Sequence, residues 1–156
     1  MRGRGGAFSE AFFLPGTAGD LLAVHHRPAA GMAVHASLLH VPAFAEEMNK
    51  SRRLVTLAAR EMARCGVATL VVDLHGCGDS VGDFSDATVP IWLEDLSHCH
   101  RWLTRTHGRP VGLWGLRLGC LLCKAVIDRD VLPVDRLLLW QAVTKGEASL
   151  NEVLRL

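Results

Sequence analysis

No apolar run in this 156-residue chain is long and unbroken. The longest are interrupted by Arg117 and Lys124, so nothing reads as a membrane-spanning helix. The opening MRGRGGAFSEAFFLPG has two arginines but no apolar stretch of leader length, and a cytoplasmic protein is expected. Charge of one sign is also missing. Seventeen Lys and Arg against 16 Asp and Glu leave a formal net charge of +1, which gives no electrostatic case for nucleic acid or an anionic membrane. An even cysteine set is missing too. Cys65, Cys77, Cys99, Cys120 and Cys123 are odd in number and scattered, which argues against a disulfide framework. Cys120-x-x-Cys123 has no second Cys or His pair at ligand spacing. Both sulfurs fall in an apolar helix and read as small buried hydrophobes rather than a redox or metal pair. Among eight histidines, His98 and His100 point to different faces of a helix, as do His25 and His26 on a strand. No metal and no cofactor are expected, and no internal repeat or low-complexity tract is visible.

What is present is core material. The chain is 49% hydrophobic, enough for one domain spanning 1–156. After a Gly-rich entry, Asp20 to His26 and Ala33 to His40 read as strands, and the turn signal Pro28-Ala29-Ala30-Gly31 predicts a hairpin between them. A polar run, Glu46 to Arg53, precedes a helix with Leu54, Leu57, Ala58, Met62 and Cys65 inward and Gly66 as its stop. Val67 to Leu74 is a continuous run rich in β-branched residues, typical of a parallel strand covered on both faces. A Gly-rich loop follows, then a helix opened by Pro90 with Trp92, Leu96, Cys99 and Leu103 at helical spacing. Glu94 and Asp95 near its start and Arg101, Arg105 and His107 near its end suit the helix dipole. Val134 to Gln141 is one more strand, and a helix begins at Ser149. Two opening strands followed by strand–helix alternation predict an α/β domain with a mostly parallel sheet flanked by helices.

The stretch Pro110 to Val126, PVGLWGLRLGCLLCKAV, carries the most chemistry. A short apolar strand turns through Gly115-Leu116-Arg117-Leu118-Gly119 into a helix with Leu118, Leu121, Leu122, Ala125 and Val126 on one face. Strand, tight Gly-x-x-x-Gly turn and helix make the frame of a nucleophile elbow. Its middle residue should be Ser, Cys or Asp, and here it is Arg117. A guanidinium stays protonated and only donates, so it is neither nucleophile nor general base. It also sits at the positive end of a helix, where a cation is unfavourable unless something anionic meets it. Three partners are open: an internal carboxylate (Asp73, Glu46 or Glu47), a ligand carboxylate or phosphate, or solvent.

In such a frame the loop after the third strand supplies an oxyanion hole, with the Phe44 and Ala45 backbone N–H groups and that of Leu118 as candidates. Lys50, Arg52 and Arg53, crowded with Glu46 and Glu47, suit either a solvated helix start or carboxylate partners and a bound anion. Gly76-x-Gly78-x-x-x-Gly82 follows a strand like a dinucleotide turn. Its glycines do not open into a helix, however, and its Asp residues repel phosphate. A surface turn suits it better. Ser80 and Cys120 are other conceivable nucleophiles, without a base at a position the fold favours.

LLHVPAFAEEMNKSRRLV (38–55), VVDLHGCGDSVGDFSDA (71–87) and GLWGLRLG (112–119), in this order and spacing, resemble the exosortase A system-associated hydrolases of the second type. The likeness runs from about Leu14 to Leu156. It implies an α/β-hydrolase-like fold in a protein of bacterial exopolysaccharide and exosortase systems, and an ester or thioester hydrolase or acyl transferase acting on a small-molecule or acyl substrate. It also makes Arg at the elbow part of the family pattern. No histidine follows the elbow, so the order nucleophile, acid, histidine is not completed. The domain is expected to be the N-terminal part of that fold, incomplete at its C-terminus, with uncovered sheet positions through which it associates. The alternative is a non-catalytic accessory protein that binds an anionic ligand or a partner through the elbow cleft.

Overall fold

The computed structural model describes residues 6–147 and 151. The elements are β1 (Phe8–Pro15), β2 (Asp20–Arg27), β3 (Ala36–Val41), α1 (Glu46–Arg64), β4 (Val67–Val72), α2 (Val89–His107), β5 (Gly112–Leu116), α3 (Gly119–Asp130) and β6 (Leu137–Trp140), with a 3-10 turn at Phe84–Asp86. They form a six-stranded sheet in the order β1-β2-β4-β3-β5-β6. β4, β3, β5 and β6 run parallel, and β2 and β1 add antiparallel. The expected mixed α/β architecture is the one found. The expected helix at 149–156 lies outside the described residues except for Asn151.

Two expectations fail at the N-terminal side. The Gly-rich entry leads into a strand, and the hairpin joins β1 to β2 through Gly16–Gly19, where Gly16 N–H donates to Gly19 O at 3.0 Å. β2 and β3, predicted as a hairpin, are not neighbours, because β4 lies between them. The Pro28–Gly31 signal marks the turn of a connection, and local turn chemistry does not say which strand receives the ladder. The third correction is α1, which starts at Glu46 and takes in the polar run. Its buried residues are Met48, Val55, Ala59 and Ala63, whereas Leu54 and Leu57 are 57% and 49% exposed and Cys65 is exposed. Small Ala side chains let the helix approach the sheet closely, and that sets its face against the larger leucines.

Strand alternation sorts the apolar residues into two layers. Leu39 and Val41 of β3 and Leu113 of β5 face α2 and α3, joining Leu70, Leu96, Leu103 and Val126. Leu38, Trp114 and Leu116 face α1 with Val55 and Ala59. α2 is bounded as its sequence suggests: Thr88 Oγ1 accepts from Ile91 N–H at 3.4 Å, Pro90 lies in the first turn, and Gly108 takes the left-handed cap at φ 61°. No helix among the described residues is long and apolar enough to cross a membrane.

His40, fully buried on β3, lies beside the elbow strand. Its Nδ1 donates to Trp114 O at 3.1 Å and its ring lies 4.5 Å from the Trp114 ring. Burial lowers its pKa to about 4, with the hydrogen bond only partly opposing. The folded state thus refuses a proton that the unfolded chain accepts below pH 6.5. Stability is full above that value and declines as the pH falls towards 4, by at most about 3 kcal/mol from this residue. Thermal melts between pH 7.5 and 4.5 should fall with acid, and His40→Gln should flatten that dependence while lowering the melting temperature at pH 7.5.

Candidate functional site

The winding reverses at β3. The chain passes from β3 to β4 on one side and returns to β5 on the other, and the connections after β3 and β5 meet at the carboxyl ends of adjacent strands. Open α/β sheets bind ligands at such a switch point. Here it brings together the Ala43–Ala45 connection, the start of α1 and the elbow.

The elbow is a close-packed turn. A Cβ on Gly119 would lie 2.3 Å from Val41 O and 2.5 Å from Pro42 O, and one on Gly115 would lie 2.8 Å from Cys120 Cα. Arg117 between them holds φ 53°, a left-handed conformation that costs a non-glycine residue about 1 kcal/mol or more. Its N–H donates to Trp140 O at 3.0 Å, tying the turn to β6, and its carbonyl accepts from Cys120 N–H at 3.1 Å. Ala45, at the head of α1, is likewise at φ 49°.

Arg117 Nε donates to Glu47 Oε1 at 3.1 Å. Glu47 stands in the first turn of α1, where a carboxylate also suits the helix dipole. Arg117 and Glu47 side chains are 26% and 32% exposed, and a half-buried pair of this kind contributes about 1 kcal/mol. Glu47 Oε2 is buried without a hydrogen-bond partner among the described residues. Glu46, Glu47 and Asp73 do not form one cluster. Glu46 is exposed, and Asp73 turns away to Arg52.

Asp73, at the end of β4, is the best-satisfied carboxylate of the region. Arg52 reaches it with both terminal nitrogens (3.1 Å to Oδ1, 3.2 Å to Oδ2), and Asp79 N–H donates to Oδ2 at 3.1 Å. A Cβ on Gly78 would lie 2.0 Å from Asp73 Oδ2. The Gly-rich loop therefore closes over the protein's own carboxylate, which accounts for the glycine that a dinucleotide turn would assign to phosphate. Ser80 is part of the same clasp: its hydroxyl donates to Asp73 O at 2.5 Å and accepts from Leu22 N–H at 2.8 Å. Both its hydrogen-bonding directions are used in structure. Cys120 is buried and its thiol is pushed up by desolvation, as is Cys77, to about 11, and Cys123, to about 12. None is poised as a thiolate. Asp95, expected to serve the helix dipole, is completely buried. Its Oδ2 accepts from His75 N–H at 2.9 Å, and burial raises its pKa.

Two spaces adjoin the elbow. The one between Phe44, Ala45 and Leu118 has room for about 10 Å³ and is walled by Met48, Leu74, Trp92 and Leu122. That is space for a single water. On the α1 side of Arg117 lies an open groove of about 620 Å³, lined by Glu47, Lys50 and Leu54 of α1, by Arg117 of the elbow and by Leu139 and Trp140 of β6. Sequence reasoning missed Leu54 as a groove residue by turning it inward, and it had no signal for Leu139 or Trp140, which reach the site only through β5–β6 pairing. Among the described residues no group of three or more His, Cys, Asp or Glu side chains stands where it could hold a metal ion.

No protein-family model matches the chain, and none of the curated proteins matches it in sequence. Solved structures do match. An α/β serine hydrolase homologue from Coxiella burnetii is 22% identical at TM-score 0.67, covering 83% of this chain and 61% of that one. Est1E of Butyrivibrio proteoclasticus, solved with ferulic acid, is 20% identical at TM-score 0.67, over 81% and 51%. A lidless α/β serine hydrolase of Xanthomonas campestris is 19% identical at TM-score 0.68, over 95% and 79%. The chain thus has the α/β-hydrolase fold, and it spans about 61% and 51% of the length of the first two.

The Asp73 clasp makes a measurable prediction. Gly78→Ala meets both a strained φ of +55° and the Asp73 carboxylate, whereas Gly31→Ala, at φ +85° in open space, meets strain alone. Urea unfolding should show Gly78→Ala destabilising by about 2 kcal/mol more than Gly31→Ala.

Proposed function

We propose that this α/β-hydrolase-fold chain acts as a binding protein, its elbow cleft holding an anionic ligand with an apolar tail. The observation that carries this reading is the Arg117–Glu47 pair standing where a nucleophile would be. A permanent cation there cannot attack a carbonyl, and the water-sized space beside Leu118 leaves little room for an acyl oxyanion. The groove on the other side of Arg117 offers what such a ligand needs: Lys50 and Arg117 as donors, and Leu54, Leu139 and Trp140 as apolar surface. Fatty acyl carboxylates and acyl phosphates are the chemical class.

A second reading is favoured by the fold and by the motif likeness at 38–55, 71–87 and 112–119. In it the protein is an ester or thioester hydrolase or acyl transferase working with bacterial exosortase and exopolysaccharide systems in the cytoplasm. β6 forms a sheet edge with Leu137 and Leu139 47% and 44% exposed, which supports association through that edge.

Treatment of the full chain with a fluorophosphonate probe separates the two readings. The binding reading expects no covalent adduct by intact mass. It also expects decanoate affinity to fall about tenfold in Arg117→Ala, the loss of one charge-assisted hydrogen bond. A stoichiometric adduct would favour the hydrolase, and unchanged decanoate affinity in a folded Arg117→Ala would sink the binding role of this residue.

A further inference from the structure

A second recess lies on the β1–β2 side of the sheet. There a groove of about 610 Å³ runs between α2 and the antiparallel strands, with Phe12, His25 and Trp102 among its walls. A smaller groove of about 350 Å³ adjoins it, since Trp102 and Thr106 line both, and its other two residues are His98 and Arg105. His98, Trp102 and Arg105 are spaced by four and three. That spacing puts them on one stripe of α2, away from the Leu96, Cys99 and Leu103 face that enters the core. The half-buried Trp102 ring meets Phe12 at 5.2 Å between centroids and His25 at 5.5 Å, edge-on at 83°. Aromatic rings therefore stand beside a guanidinium and an imidazole in one continuous recess.

The charges around the recess are weighted to one sign. Glu10 lines the larger groove, but it lies 3.7 Å from the Arg27 guanidinium and is matched by it. Arg105 is exposed and has no ion-pair partner among the described residues. Burial lowers the pKa of His98, and the nearby positive charges of Arg101 and Arg105 lower it further. His107 behaves alike, through burial first and then Arg109 and Arg27. Asp130, a carboxylate near Arg101, is taken by Arg129. The carboxyl end of α2 carries about half a negative charge, too little to balance Arg101, Arg105 and Arg109.

From this lining we infer that the recess binds a phosphate monoester carried on a flat ring, the chemical class of a mononucleotide. The ring packs against Trp102 and Phe12, and the phosphate meets Arg105 and His98. Aromatic faces favour an offset ring partner, and a guanidinium fork matches phosphate oxygens in shape as well as in charge. His98, uncharged at neutral pH, adds one N–H donor. A dianion is favoured over a carboxylate because more than one guanidinium acts on this place. An open groove gives weak, salt-sensitive binding. None of these residues lines the groove beside Arg117.

The test is calorimetric titration of AMP, adenosine and sodium phosphate into the full chain at low ionic strength and pH 7.5. One equivalent of AMP should bind. Adenosine and phosphate should each bind at least tenfold more weakly, because each lacks one half of what the recess recognises. Arg105→Ala, at an exposed helix position, should weaken AMP about tenfold, the loss of one charge-assisted hydrogen bond. Trp102→Leu should weaken it by a similar factor, and if that variant fails to fold Arg105→Ala alone decides. A folded Arg117→Ala should bind AMP as before, which separates this site from the elbow cleft. No heat at millimolar AMP, phosphate alone as tight as AMP, binding unchanged in Arg105→Ala, or binding lost in a folded Arg117→Ala overturns the proposal.

Discussion

The site depends on how closely α3 can approach the strands that carry it. Gly119 lies against the carbonyls of Val41 and Pro42, and Gly115 against the backbone of Cys120, with no room for a Cβ at either position. This contact brings the start of α3 beside the start of α1, and it forces the residue between the glycines into a left-handed turn. Any side chain in the middle of that turn projects over the carboxyl ends of β3 and β5. The chemistry of the cleft is therefore decided by one residue, and that residue is an arginine.

An arginine there changes what its surroundings must supply. A serine elbow asks for a base and an empty space lined with N–H donors. An arginine elbow asks for a carboxylate, and α1 provides one at Glu47, near the helix end where negative charge is already favoured. The second arginine of the region, Arg52, is absorbed by Asp73 in the same way, in a buried clasp closed by Gly78 and Ser80. The two ion pairs flank α1 and fix how its first two turns sit on the sheet. The clasp is also linked to α2, because the loop that carries it runs on through His75, whose carbonyl accepts from Trp92 Nε1 at 2.9 Å and whose N–H donates to Asp95. Loops that carry glycine and acid residues are here the joints between layers.

The two flanks of the sheet carry different side chains. The elbow flank brings Glu47, Lys50 and Arg117 into one groove with Leu54, Leu139 and Trp140. At the β1–β2 flank His25 meets His107 and packs against Trp102, which is backed by Phe12. Both features rest on pairings between segments distant in the chain.

The strands β4 and β5, the core face of α2, and the strand–turn–helix of the elbow were legible from the sequence alone. A continuous run rich in β-branched residues, apolar residues at helical spacing and glycines at a fixed interval each specify local geometry by themselves. The oddity of Arg117 was legible as well, since its missing nucleophilicity is a property of the guanidinium and needs no fold. Tertiary structure decided which strand lay beside which, and so moved the hairpin from β2–β3 to β1–β2. It also decided which face of α1 turned inward, because Ala59 and Ala63 allow a closer approach to the sheet than Leu54 and Leu57. Above all, it decided which carboxylate met which arginine. Glu46, Glu47 and Asp73 are chemically alike, and only the relative position of α1, β4 and the elbow, set by close packing of glycine and alanine, assigns Glu47 to Arg117 and Asp73 to Arg52.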